Sequence, residues 1–62
     1  MAEYTITASI KRGSSTSTMV FVLKANSQND AIIKGASKLF SMFSGTDTQI
    51  IALGAEVVVD GV

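Results

Sequence analysis

Apolar and polar positions alternate one for one near the start of the chain. Tyr4, Ile6, Ala8 and Ile10 fall on one side, and Thr5, Thr7 and Ser9 on the other. Period two with β-branched residues predicts a half-buried strand. Lys11-Arg12-Gly13-Ser14-Ser15-Thr16-Ser17 then breaks the alternation with polar residues and one glycine. This stretch predicts a hairpin loop longer than the tightest two-residue type. Residues 18–25 resume the alternation, with Met19, Phe21, Leu23 and Ala25 on one face and Val20, Val22 and Lys24 on the other. Here both faces carry apolar side chains, unlike the first strand.

The period changes after Asn26. Ser27 can accept a hydrogen bond from the N–H three residues on while Asp30 reaches back, a capping-box arrangement with an acid in the first turn. Ile32, Ala36, Leu39, Phe40 and Phe43 then recur at helical spacing, with Asp30, Lys34, Ser37, Lys38 and Ser41 opposite them. Asp30 and Lys34 are spaced for an i,i+4 pair in the favourable direction. Gly45 provides a stop, so an amphipathic helix is expected over 28–44, burying Ile32, Ala36, Leu39, Phe40 and Phe43. Residues 48–59 return to β character with Gly54 inside them. Either one strand bends at a Gly54 bulge, the preferred reading, or Gly54-Ala55 turns between two short strands.

The order strand–strand–helix–strand predicts an α+β domain: a three-stranded sheet, four-stranded if Gly54 is a turn, with one helix across one face. A right-handed crossover makes the second and third strands parallel, with the first inserted between them and antiparallel to both. The helix would cover Tyr4, Ile6, Ala8, Ile10, Phe21 and Leu23. The other face would show Thr5, Thr7, Ser9, Val20, Val22 and one row of the third strand, with nothing of the chain's own to cover it.

Composition sharpens this picture. The chain has 62 residues, so it holds one domain and no linker. A domain of this size buries only about 60% of the surface its unfolded chain exposes, and its core supplies about 3–5 kcal/mol net. The usual staples are missing, because cysteine and histidine are both absent. That excludes disulfides, thiol catalysis, histidine triads and the common zinc sites, so neither a metal nor a cofactor is expected. With 47% hydrophobic residues, 16% charged and a mean hydropathy of +0.40, more apolar surface is present than so small a fold hides alone. Self-association or a protein partner is therefore expected. No run approaches the length of a membrane span, and the polar start lacks the pattern of an export signal. The expected location is the cytoplasm, including that of an infected host.

The candidate chemistry is sparse. Glu3, Asp30, Asp47, Glu56 and Asp60 form no paired-carboxylate motif, and no serine has a visible base beside it. No enzyme activity is expected. The glycine of the hairpin joins two strands and does not open a helix, so it lacks the dipole of a phosphate loop. Lys11 and Arg12 with neighbouring hydroxyls, extended by Lys24, form the one candidate for phosphate contacts. Five cations balance five anions, however, and such binding draws most of its energy from phosphate neutralisation. Nucleic-acid binding is thus the weaker reading. The stronger one is a protein contact through Thr5, Thr7, Val20 and Val22 with the hairpin tip, because exposed apolar patches mark interfaces. Ile33 and Met42 on the helix shoulders would widen it, and the sheet edges offer strand pairing.

Ala25-Asn26-Ser27-Gln28-Asn29-Asp30-Ala31-Ile32, following a hairpin and preceding one helix and a last strand, is similar in layout to the small phage-encoded inhibitors of bacterial RNA polymerase. The likeness spans most of the chain. It implies a compact phage or mobile-element protein that docks on and inhibits a host macromolecular machine. No residue role is carried over, because those inhibitors use charged groups where this last strand is almost entirely apolar. A homo-oligomeric structural protein assembling through the sheet face or edges is the alternative.

Overall fold

A computed structural model describes residues 1–58 of the chain. Strand β1 spans Ala2–Arg12, β2 Ser15–Ala25, helix α1 Gln28–Phe43 and β3 Thr48–Val57. The three strands form one antiparallel sheet in the order β2-β1-β3, with β1 in the middle and the helix on one face. The expected fold class and strand order are both found. No helix among the described residues is long and apolar enough to cross a membrane.

The hairpin is tighter than expected. β1 and β2 pair continuously from Ala2↔Ala25 to Arg12↔Ser15, leaving only Gly13 and Ser14 as the loop. Gly13 sits at φ +62°, and no other residue type takes positive φ among the described residues. Positive φ at the first of two central residues is what a type II′ turn requires, and that turn matches the twist of the strands. The polar residues on either side, Lys11, Arg12 and Ser15–Ser17 in sequence, thus belong to the ladder. Their polarity reflects solvent exposure of the overhanging end, not a loop.

The helix begins as its sequence dictates. The Ser27 hydroxyl accepts from the Asp30 N–H at 3.1 Å, and Asp30 reaches back to accept from the Asn26 N–H at 3.0 Å. This is one residue earlier than in the reciprocal capping box. Lys34 Nζ lies 3.1 Å from the Asp30 carboxylate. At the other end Ser44 (φ −58°, ψ 130°) and Gly45 (φ +79°) have the angles of a type II turn, closed by the Thr46 N–H on the Phe43 carbonyl at 3.0 Å.

Most of the fully buried side chains are alanines. Ile6, Ala8, Ala25, Ala31 and Leu39 are wholly enclosed, and Ala55 nearly so. Tyr4, Phe21, Leu23, Ile32 and Leu53 pack around the Ile6, Ala25, Ala31 and Ala55 cluster. The helix settles on its Ala31, Gly35 and Leu39 stripe, so Phe40, expected in the core, is 73% exposed. The reason is distance. A Cβ at Gly35 would stand 3.1 Å from Ile6 Cγ2, so the helix comes down where its residues are smallest, and Phe40 turns out to the shoulder.

β3 is a single strand, as preferred, but its irregularity is not at Gly54. Gly54 pairs regularly with Thr7, whereas Ser9 faces Ala52 and Ile10 faces Ile50, leaving Ile51 as the extra residue of a bulge. The shift keeps Ile50 on the helix side opposite Ile10. Val58 lies beyond the strand, and Val59, the last position of the expected strand, lies outside the described residues.

Candidate functional site

The face of the sheet turned away from the helix is built by strand alternation alone. Thr5, Thr7 and Ser9 run down its centre. Val22, Val20 and Thr18 stand directly opposite them on β2, and Glu56, Gly54 and Ala52 on β3. Directly opposed side chains in an antiparallel pair have Cβ atoms about 4.5–5.5 Å apart. Thr5 with Val22 and Thr7 with Val20 therefore form one contiguous patch. Val20 is 63% exposed and Val22 51%. Gly54 beside Thr7 adds no side chain, so the patch is shallow on the β3 side. Four of the expected contact residues, Thr5, Thr7, Val20 and Val22, are thus brought together.

The three cations are not. Lys11 shares this face but lies at the hairpin end, between Thr16 and Gln49. Lys24 lies at the far end opposite Glu3, eight positions along β2 from Thr16, about 27 Å away at the strand rise. Arg12 alternates onto the helix side, where it lines a depression of about 430 Å³ with Ile10, Ser15, Ser17, Phe43 and Thr48. Asp47 shares a second hollow with Lys11, Gly13 and Gln49 and offsets the charge of the tip. No single basic patch results. A hairpin loop would have let Lys11 and Arg12 point together, but a continuous strand separates them by period two.

The helix shoulders also fall elsewhere than expected. Ile33 and Met42 are exposed, but they lie in the helix layer, so they cannot widen a contact on the opposite face. Ile33 instead lies on the same side of the helix as Phe40, seven residues on. Sequence reasoning missed Phe40 as a surface residue. The available signal was an apolar helix face spread over Ile32, Ile33, Ala36, Leu39, Phe40 and Phe43, too wide for one sheet to cover.

Among the described residues no three His, Cys, Asp or Glu side chains gather as metal ligands, and no buried side-chain polar atom lacks a partner. The Asp30 carboxyl is held below its ordinary pKa, first by the Asn26 N–H and then by Lys34; both interactions belong to the helix cap. The Arg12 hollow offers one guanidinium and three hydroxyls without a carboxylate or other base among its lining.

No protein family model matches the chain, no curated protein matches it, and no solved structure matches its fold.

Proposed function

We infer that this chain is a non-catalytic interaction module that docks on a larger protein through the open face of its sheet. The observation that supports this most directly is the Thr5–Val22 and Thr7–Val20 patch, in which two valines stay more than half exposed. Half-exposed β-branched side chains held on a sheet give up little conformational entropy when covered. The Thr5 and Thr7 hydroxyls beside them, on the central strand, supply hydrogen-bonding groups. The ends of the face carry the charges that orient a partner: Glu3, Lys24 and Glu56 at one end, Lys11 at the other. Such charges set register more than affinity. Inhibition of a host machine of the kind the sequence layout suggests is one form such docking takes.

The test is a capture experiment with a paired variant. The immobilised protein retains its partner from extract, and Val20→Ser/Val22→Ser loses it while keeping the helix signal in circular dichroism. Retention of the same partner at unchanged affinity by that variant removes the sheet face as the site.

A further inference from the structure

The two edges of the sheet differ. β1 lies between β2 and β3, so each outer strand has one edge that the sheet does not pair. On β3 that edge is obstructed twice. Gln28 Nε2 donates to the Ala55 carbonyl at 2.8 Å, and the extra residue at Ile51 breaks the regular spacing of the ladder. Both are devices that stop a further strand from adding. β2 carries neither. Its eleven residues, Ser15–Ala25, pair with β1 without a bulge. They include no proline, no glycine and a single charge, Lys24.

One hydrogen bond fixes which backbone groups lie on the β2 edge. The Val58 N–H donates to the Glu3 carbonyl at 2.8 Å, so Glu3 turns its backbone towards β3. By antiparallel alternation Tyr4, Ile6, Ala8 and Ile10 turn theirs towards β2, where their partners are Leu23, Phe21, Met19 and Ser17. The residues between those partners and at their ends, Thr16, Thr18, Val20, Val22 and Lys24, therefore point both N–H and C=O out of the sheet. No hydrogen bond among the described residues uses these groups. The macromolecular partner that satisfies such a row is another extended strand.

We propose that this partner is β2 of a second copy, paired antiparallel about a two-fold axis at Val20, so that two three-stranded sheets join into one. Three features select a second copy. The outward row maps onto itself about Val20: Thr16 of one copy faces Lys24 of the other, Thr18 faces Val22, and Val20 faces its own equal. Every outward N–H and C=O on both strands is then used. Nothing on β2 opposes this pairing, because its one charge meets a threonine and the two Lys24 side chains stand about 27 Å apart along the strands. An edge reserved for a foreign strand needs a feature that rejects its own copy, and β2 has none. Closure is the third feature. Pairing consumes both β2 edges and leaves only the obstructed β3 edges outside, so the assembly ends at two copies. The contact is made by the main chain, so it stands apart from the side-chain docking proposed for the open face. The two-fold axis runs across the sheet from face to face, which keeps both helices on one side and sets two Val20–Val22 patches beside each other on the other.

Sedimentation equilibrium across the micromolar range, with amide hydrogen exchange, tests the proposal. The expected result is a monomer–dimer equilibrium in which the Thr18, Val20 and Val22 amides exchange slowly in the dimer and fast after dilution. Within one copy those amides face water. Val20→Pro deletes both N–H donors at the axis and none of the copy's own ladder. It should weaken the dimer about 30-fold or more and keep the helix signal in circular dichroism. Val20→Ser/Val22→Ser, which strips the open face and spares the main chain, should still dimerise. A strictly monomeric wild type overturns the proposal. So does a dimer unweakened by a folded Val20→Pro, one lost in the serine variant, or growth into larger assemblies. Exchange is read on the unaltered chain, so fast exchange of those three amides in a populated dimer overturns it even if Val20→Pro unfolds.

Discussion

At Gly35 two opposing effects can be weighed on a single atom. Replacing a helical glycine by alanine ordinarily gains about 1 kcal/mol. Here the new Cβ would meet Ile6 Cγ2 at 3.1 Å, with Cγ1 and Cδ1 at 3.4 and 3.5 Å. Ile6 is fully buried and β-branched, so no free rotamer takes those atoms away. Overpacking of this kind costs about 1–3 kcal/mol, and it outweighs the helix gain. Gly35→Ala is expected to lower the urea midpoint by the equivalent of about 1 kcal/mol, against the usual sign for an exposed helical glycine. A raised midpoint would show that the helix can lift off Ile6 without loss.

At the scale of the element, the helix start is a local device whose parts act separately. Ser27→Ala removes the acceptor for the Asp30 N–H and should cost about 1 kcal/mol, read as a lower melting temperature. Asp30 adds a pH dependence. Its folded pKa is depressed by the Asn26 N–H and by Lys34, so the unfolded chain takes up the proton more readily than the folded one. The stabilisation is present above the ordinary carboxylate value of about 3.9 and is lost as pH falls through the lower folded value. Melting curves should therefore show a loss of stability at acid pH that is smaller in Asp30→Asn. Equal acid loss in both proteins would assign the titration to other carboxylates.

The strands show what an element's pattern conveys and where it stops. Alternation from Tyr4 to Ile10 assigned both faces of β1, because period two is a property of the extended backbone itself. The same alternation continues through Lys11 and Arg12, but in polar residues it leaves no hydrophobic signal. The tight Gly13–Ser14 turn was therefore hidden. The bulge at Ile51 was hidden for a related reason: in Ile50-Ile51-Ala52-Leu53 every residue is apolar, and a shift of register changes nothing in the pattern.

For the whole molecule the decisive quantity is the thinness of the core. Ile6 and Leu39 are its largest fully buried side chains, and alanines supply most of the rest. Leu39→Ala should therefore remove about 2–5 kcal/mol, as much as a domain of this size has in hand. The expected outcome is loss of the cooperative thermal transition, with a sharp transition retained in Phe40→Ala, whose ring touches mostly water. Unfolding of both variants alike would place Phe40 in the core. The same thinness leaves Val20, Val22, Ile33 and Phe40 outside, and it motivates the sheet-face contact argued above.

By itself the amino-acid order determined the kind and sequence of the elements, the Ser27 cap, the stop at Gly45 and which rows of β1 and β2 face the helix. Each of these rests on neighbours a few residues apart, where backbone geometry and short-range hydrogen bonds decide. Only the tertiary structure decided the roll of the helix onto Ala31 and Gly35, the outward turn of Phe40, the bulge at Ile51 and the scattering of Lys11, Arg12 and Lys24. The helix roll and the position of Phe40 depend on the fit between Gly35 and Ile6, and the bulge and the cations on how far the strands pair in register; no local hydrophobic pattern contains either.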